Sequence, residues 1–304
     1  MWGGPSGPPY NLHRAMTRGP ATALAGLLVT FSLAFPAGQD RRVQVGFCTG
    51  LKGIDAAKAA GFEYVELATS EIAALSDTDY ESAVARLGQL GLPTPVANLF
   101  LPATLKVTGP DVNRDEQTRY VRRAFERLSR IGIRLVVFGS GGARRVPDGF
   151  GKDEAFAQLV DFSRRAAVEA KGHDITIAIE PLRQQETNII NSAAEGLDLV
   201  KAVNHPNFEL MIDFYHLASE GEDPAVVLRA REHIRHLHMA NPRGRVFPLA
   251  WDEFDYAPFF ANLRAIGYSG RISVEATPKD GNGLFVLDLA SGRIGPETTS
   301  CSGA

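Results

Sequence analysis

With only two cysteines, Cys48 and Cys301, near opposite ends of 304 residues, the chain has no disulfide framework and no CxxC-type metal or redox pair. Each thiol reads as buried or incidental. A formal net charge of −3 with no basic cluster leaves nucleic acid no electrostatic footprint. The Gly-rich turn that cradles a dinucleotide phosphate is missing as well. The apolar run over 21–35 is too short for a comfortable membrane span.

That run does have the form of a secretory signal peptide. Met16 opens a second start, followed by Thr17, Arg18, the apolar core and small residues after it, although Phe35 and Pro36 interrupt a clean A-x-A site. Residues 1–15 are Gly/Pro-rich and read as unstructured. The expectation is therefore a start at Met16, cleavage within 34–39, an exported (periplasmic or secreted) mature protein beginning within 34–41, and no stable membrane span after processing. An uncleaved anchor or a cytoplasmic protein is the alternative.

The rest has ordinary globular composition, long enough for two domains or for one α/β barrel. From Arg42, short β-rich runs alternate with longer amphipathic stretches. Strands are expected at 43–48, 64–68, 94–99, 134–139, 175–180, 208–214, 234–239 and 271–276. Helices are expected at 54–60, 79–90, 115–131, 152–171, 193–203, 224–232 and 257–266. Gly61, Gly91, Gly132, Gly172 and Gly267 stand where helices need a left-handed cap. This rhythm predicts one (β/α)₈ TIM barrel over 42–276, preceded by a leader over 1–41. A tail over 277–304 holds a short helix or strand around 284–289. A doubly wound open sheet is the runner-up.

Four of the strand-like runs end on a group that would be a liability in mid-strand. The stretch 175–186, ITIAIEPLRQQE, delivers Glu180 where Pro181 stops the strand, and Glu186 six residues on. The next runs deliver Asp213 (then His216), His238 and Glu275. A barrel gathers the C-terminal ends of its strands at one mouth. Three carboxylates and an imidazole there suit one divalent metal ion: Mn²⁺, Mg²⁺, Co²⁺ or Zn²⁺.

The segments IEPLRQQETN, MIDFYH, HLHMANPRGR, FDYAPFFANLRAIGYSG and ISVEA resemble the xylose isomerase-like TIM-barrel superfamily, nearest its sugar isomerase and epimerase branch. The resemblance covers about 43–276 and is stronger in the second half. It implies a metal held by Glu180, Asp213, His238 and Glu275, with Glu180 and Glu275 also the acid/base pair. It implies substrate contacts from Glu186, His216 and Arg245, with Arg243 the alternative. The reaction implied is proton movement next to the carbonyl of a sugar through an enediolate. Arg183 and Gln184 depart from the family's Asn-Arg at those positions, which bears on the choice of sugar.

Other readings attach to single residues. Glu66, inward-facing in strand two, bonds within the mouth or is satisfied structurally, and Asn98 lines the pocket or does not. His236 reads as barrel-interior packing or a donor to a ligand. The other histidines, His13, His173, His205 and His233, read as surface or cap residues. Gly139–Gly142 read as a flexible loop which, with Arg144 and Arg145 nearby, leaves a phosphorylated ligand open. Phe247, Trp251, Phe254 and Tyr256 pack loop seven or wall the sugar. Competing functions are an inosose dehydratase-like lyase and a non-catalytic sugar-binding barrel. A DNA-repair nuclease of the endonuclease IV type lacks its extra zinc-binding histidines after strands two and three. The partner expected is a small sugar and no nucleic acid; a homo-oligomer is compatible.

Overall fold

The computed structural model describes residues 43–276 and the strands Phe285–Asp288 and Arg293–Pro296. The expected leader and cleavage site, His13, Met16 and Cys301 lie outside the described residues. Eight parallel strands close into a barrel in chain order: β1 (Gln44–Thr49), β2 (Tyr64–Ala68), β3 (Val96–Asn98), β4 (Leu135–Phe138), β5 (Thr176–Ile179), β6 (Phe208–Asp213), β7 (Ile234–Met239) and β8 (Arg271–Val274). Closure is the β1–β8 pairing, with Val45 opposite Ile272 and Phe47 opposite Val274. The doubly wound alternative is thereby excluded.

The helices α1 (Ile54–Ala59), α2 (Thr69–Ala74), α3 (Asp77–Leu90), α4 (Arg114–Arg130), α5 (Gly141–Arg144) and α6 (Lys152–Gly172) serve the first half. The second half has α7 (Ala193–Val203), α8 (Phe214–Ser219), α9 (Val226–Ala230) and α10 (Ala257–Ala265). Local chemistry explains several ends. Ser76, Asn113 and Ser192 each accept a backbone N–H with their side chains at the N-termini of α3, α4 and α7. Gly91 (φ 63°) closes α3, and Gly61, Gly132 and Gly267 also take positive φ. Gly172 does not: α6 runs through it, and Asp174 (φ 57°) makes the left-handed turn, which a short polar side chain tolerates.

Three helices had no sequence signal. α2, α5 and α8 have only four to six residues, too few to show a period; α2 and α8 follow their strands directly, and α5 follows β4 after Gly139 and Ser140. The Gly139–Gly142 run is accordingly no flexible loop, since its second half begins α5. The helix expected at 224–232 is α9 followed by a 3₁₀ turn at Arg231–His233. Beyond the barrel, the strand at 285–288 pairs antiparallel with a second one at 293–296.

The strand period of two sorts the side chains. One face of the sheet packs on the helices in the main core, which includes the ring cluster Phe100, Phe125, Phe138 and Phe162. The interior face carries Tyr64, Val96, Val137, Ala178 and Met211 as an apolar plug. Gly46 makes room for it, because a Cβ there would sit 2.3 Å from the Tyr64 ring. Continuing two residues from Val96, Val137, Ala178 and Met211 leads to Asn98, Gly139, Glu180 and Asp213 at the mouth.

Candidate active site

Glu180 follows β5 directly. Its backbone N–H donates to the Phe138 carbonyl (3.2 Å), and its carbonyl accepts from the Arg144 guanidinium (2.6 Å). Its side chain fits against the chain at Gly139, where a Cβ would lie 2.2 Å from Oε2; any larger residue would displace the carboxylate. Asp213 ends β6 and divides its oxygens. Oδ1 accepts the Tyr215 N–H (2.8 Å) and so caps α8, leaving Oδ2 for the mouth. Glu275 follows β8; its N–H donates to the Met239 carbonyl (3.1 Å) and its Oε1 accepts from the Asn98 amide (3.2 Å).

His238 stands at the centre. Nδ1 lies 3.3 Å from both Glu180 Oε1 and Glu275 Oε2, while Nε2 lies 2.9 Å from Glu66 Oε1. One ligand atom from each of Glu180, Asp213, His238 and Glu275 can be chosen so that all four lie within 4.8 Å of one another. Three of these residues have an atom buried without a hydrogen-bond partner: Glu180 Oε1, Asp213 Oδ2 and His238 Nδ1. Buried polar atoms are normally paired. Three unpaired ones converging from separate strands fit a shared cation, and the donor set suits a divalent metal.

The electrostatics agree. Burial raises the Glu180 and Asp213 carboxyls, and the neighbouring carboxylates add to this. Burial acts the same way on Glu275, yet the charges of His238 and Arg245 outweigh it and hold that carboxyl down. Without a cation, this many carboxylates are costly to keep ionised together.

Around the four lie the residues expected to meet substrate. Arg245, in a left-handed conformation (φ 51°) after Gly244, places Nη2 2.5 Å from Glu275 Oε2 and Nη1 3.3 Å from Glu186 Oε1. Arg243 instead lies over the Phe254 ring, so Arg245 is the arginine of the pocket. His216 is buried with Nε2 3.5 Å from Asp213 Oδ2 and 3.9 Å from Glu186 Oε2. Its Nδ1 accepts the Arg183 N–H (3.3 Å), which leaves the proton on Nε2. Burial pushes its pKa down to about 3, so it is neutral. The mouth opens into a cavity of about 710 Å³ walled on the far side by Leu99, Ala103 and Gly139–Gly142.

The family model described as "Xylose isomerase-like TIM barrel" matches residues 54–289. The chain belongs to the xylose isomerase-like TIM barrel family. An L-ribulose 3-epimerase of Methylomonas sp. is 31% identical over 74% of this chain and 77% of its own length. A D-psicose 3-epimerase of Ruminiclostridium cellulolyticum is 26% identical over 71% and 74%. Among solved structures, a D-allulose 3-epimerase from Methylomonas sp. in complex with D-allulose superposes with a TM-score of 0.69 at 28% identity, covering 77% of this chain and 84% of that one.

Within this xylose isomerase-like barrel, several single-residue readings resolve. Asn98 does line the pocket, through Glu275. Glu66 and His236 both face the barrel interior and bond to each other (2.8 Å). His173 follows the end of α6, and His205 caps the Asn207 N–H; His233 pairs with Glu209 (2.8 Å). Phe247 stacks on Phe47, and Trp251, Phe254 and Tyr256 pack together, so these rings build loop seven. Arg144 is fully buried; one guanidinium N–H donates to the Glu180 carbonyl (2.6 Å), while Nε and Nη1 have no hydrogen-bond partner. Arg183 binds Glu186 (2.9 Å) and lies over Tyr215, while Gln184 turns aside to Glu220.

Reading by residue type took Cys48 for a buried or incidental thiol and passed over Ser273. Cys48 lines the cavity with Sγ 3.9 Å from His238 Nε2, and burial raises its thiol well above the usual range. Ser273 donates to Glu66 (2.5 Å) deep in the barrel. The only sequence signal for either was strand parity: Cys48 and Ser273 each sit two residues, or a multiple of two, from a mouth or interior position.

Proposed function

We propose that this chain is a divalent-metal-dependent ketose 3-epimerase acting on an unphosphorylated sugar. The 3-epimerases among its relatives support the class, and the observation that carries the mechanism is the convergence of unpaired Glu180, Asp213 and His238 atoms beside Glu275. Glu180, Asp213, His238 and Glu275 would hold one ion (Mn²⁺, Mg²⁺, Co²⁺ or Zn²⁺), whose Lewis acidity stabilises negative charge developing on the substrate's carbonyl oxygen.

The remaining work falls to side chains. Glu180 and Glu275 follow β5 and β8 and approach His238 from different strands, which suits carboxylates flanking a planar enediolate. One takes the proton from carbon 3 and the other, carrying a proton, returns it to the opposite face; the reverse reaction exchanges the roles. Glu186, His216 and Arg245 would bind the sugar's hydroxyls. His216 donates from Nε2, and Arg245 also keeps Glu275 ionised. Arg183, fixed on Glu186, would limit which hydroxyl configuration fits.

The test is to incubate metal-assayed protein with free ketoses in D₂O. Epimerisation with one deuterium at carbon 3 is expected. Deuterium at carbon 1 or 2 with aldose formation would make the enzyme an isomerase, and loss of water would make it a lyase. Metal-loaded protein with no exchange into any ketose would overturn the assignment. Export is the localisation we propose from the signal-like run at 21–35; N-terminal sequencing of native protein that found Met16 or Met1 retained would overturn it.

A further inference from the structure

Beneath the mouth, the barrel interior holds a fifth carboxylate to which no role has been given. Glu66 in the middle of β2 is fully buried, and its two oxygens are shared among three side chains. Oε1 lies 2.9 Å from His238 Nε2. Oε2 lies 2.8 Å from His236 Nε2 and accepts from the Ser273 hydroxyl at 2.5 Å. The Tyr64 hydroxyl continues the network to Ser273 (2.9 Å). Glu66 therefore bonds to the far nitrogen of the one imidazole whose near nitrogen faces Glu180 and Glu275.

We propose that Glu66 is a positioning residue for the metal centre: it keeps the proton of His238 on Nε2 and so leaves Nδ1 free to bind a divalent ion. This rests on the metal reading given above. An ionised carboxylate only accepts, so each histidine bonded to Glu66 must donate from Nε2. For His238 this removes the tautomer that carries its proton on Nδ1, which could not be a ligand. The bond also fixes the ring plane, as carboxylates behind metal-bound histidines do generally.

The need for a carboxylate follows from counting donors. Two Nε2–H groups approach Glu66, one on each oxygen. A glutamine of the same shape has one acceptor and one donor end. Whichever histidine met the amide N–H₂ would have to give up its Nε2 proton, placing it on Nδ1. The amide oxygen is best placed at the Oε2 position, where His236 and Ser273 both donate, and this turns the N–H₂ toward His238. Strand parity brings the network together: His236 and His238 lie two residues apart on β7 and so both point inward, opposite Glu66.

Three proteins test the proposal: wild type, Glu66→Gln and His236→Gln. Mn²⁺ affinity is measured by the free-ion paramagnetic resonance signal, and unfolding of the metal-free proteins by denaturant. Glu66→Gln should weaken Mn²⁺ binding about 10–100-fold, the usual range for removing such a support. His236→Gln should leave the affinity within a few-fold, because Glu66 still meets His238, although both variants disturb the same interior hydrogen-bond network and lose stability. Equal weakening in the two, or a Glu66→Gln protein that is less stable but binds Mn²⁺ as wild type does, would overturn the proposal.

A second readout needs no variant and covers failure of Glu66→Gln to fold. Wild-type protein labelled with ¹⁵N-histidine and loaded with Mg²⁺ should show long-range ¹H–¹⁵N couplings that place the His238 proton on Nε2. A proton-free Nε2 would refute the role outright. If the wild type binds no divalent ion at all, the metal reading fails instead, and the two failures are distinct.

Discussion

Strands β5 to β8 each hand an ionisable side chain to the mouth, whereas β1 to β4 lead to Cys48, Ala68, Asn98 and Gly139. The halves also differ in how they are satisfied. In the second half, the buried Glu180, Asp213 and His238 present unpaired atoms to one another. In the first, Phe100, Phe125 and Phe138 are fully buried ring on ring, and Gly139 matters for the space it leaves to Glu180. One half thus carries the charge gathered at the mouth, and the other carries the packing and the cavity wall. Glu66 is the exception, a first-half carboxylate whose bonds reach across the barrel to β7.

The largest effect expected is on rate. Glu275→Gln, assayed with bound metal quantified, should lower kcat by about 10²–10⁴-fold, since it keeps an oxygen but loses the base. Glu180→Gln should behave alike. Metal-loaded variants that exchanged the substrate C–H proton at near the wild-type rate would assign the base elsewhere and end the catalytic side of the contrast. Next comes packing. Phe125→Ala, in α4 and stacked 5.4 Å from Phe100, should lose about 3–5 kcal/mol of unfolding free energy in denaturant titration. Its metal content per folded molecule should stay at the wild-type value, and a loss would show the halves to be coupled.

Removing a ligand should be milder for the fold. Wild type should gain about 2.7 kcal/mol at an ion concentration of 100 times Kd, and Asp213→Ala should lose most of that gain in a melt with and without Mn²⁺. Full metal content in this variant would remove Asp213 from the centre. The smallest effect should ignore the division altogether. Ser76→Ala at α3 and Ser192→Ala at α7 each delete one cap and should cost about 1 kcal/mol alike, with metal binding unchanged. A cap effect on metal affinity at α7 alone would show that the helical layer shares the asymmetry.

Much of this was legible in the residues. The strands Tyr64–Ala68 and Ile234–Met239 and the helix Ala193–Val203 match their expected bounds. The closed barrel follows from the helix–Gly–strand rhythm. The four mouth residues were visible because each is a polar group at the end of an apolar run, and Pro181 marks the stop. What was not legible was short or nonlocal. Short helices such as α2 and α8 carry no period. Gly172 met the cap pattern, but the helix runs one residue further, through Gly172, because Asp174 tolerates the left-handed turn. The spacing of the arginines put Arg245 first and kept Arg243 as the alternative, and the turn at Gly244 sends Arg245 inward and Arg243 onto Phe254.

The sequence by itself determined the architecture and the four groups that meet at its mouth, because the alternation of apolar period and punctuation is a local property of the chain. The tertiary structure alone decided that Asp213 spends one oxygen on α8, that Arg144 is buried behind Glu180, and that Glu66 stands behind His238. Each of those is a pairing of polar groups distant in sequence, and a buried polar group takes whichever partner the closed barrel brings within hydrogen-bond reach.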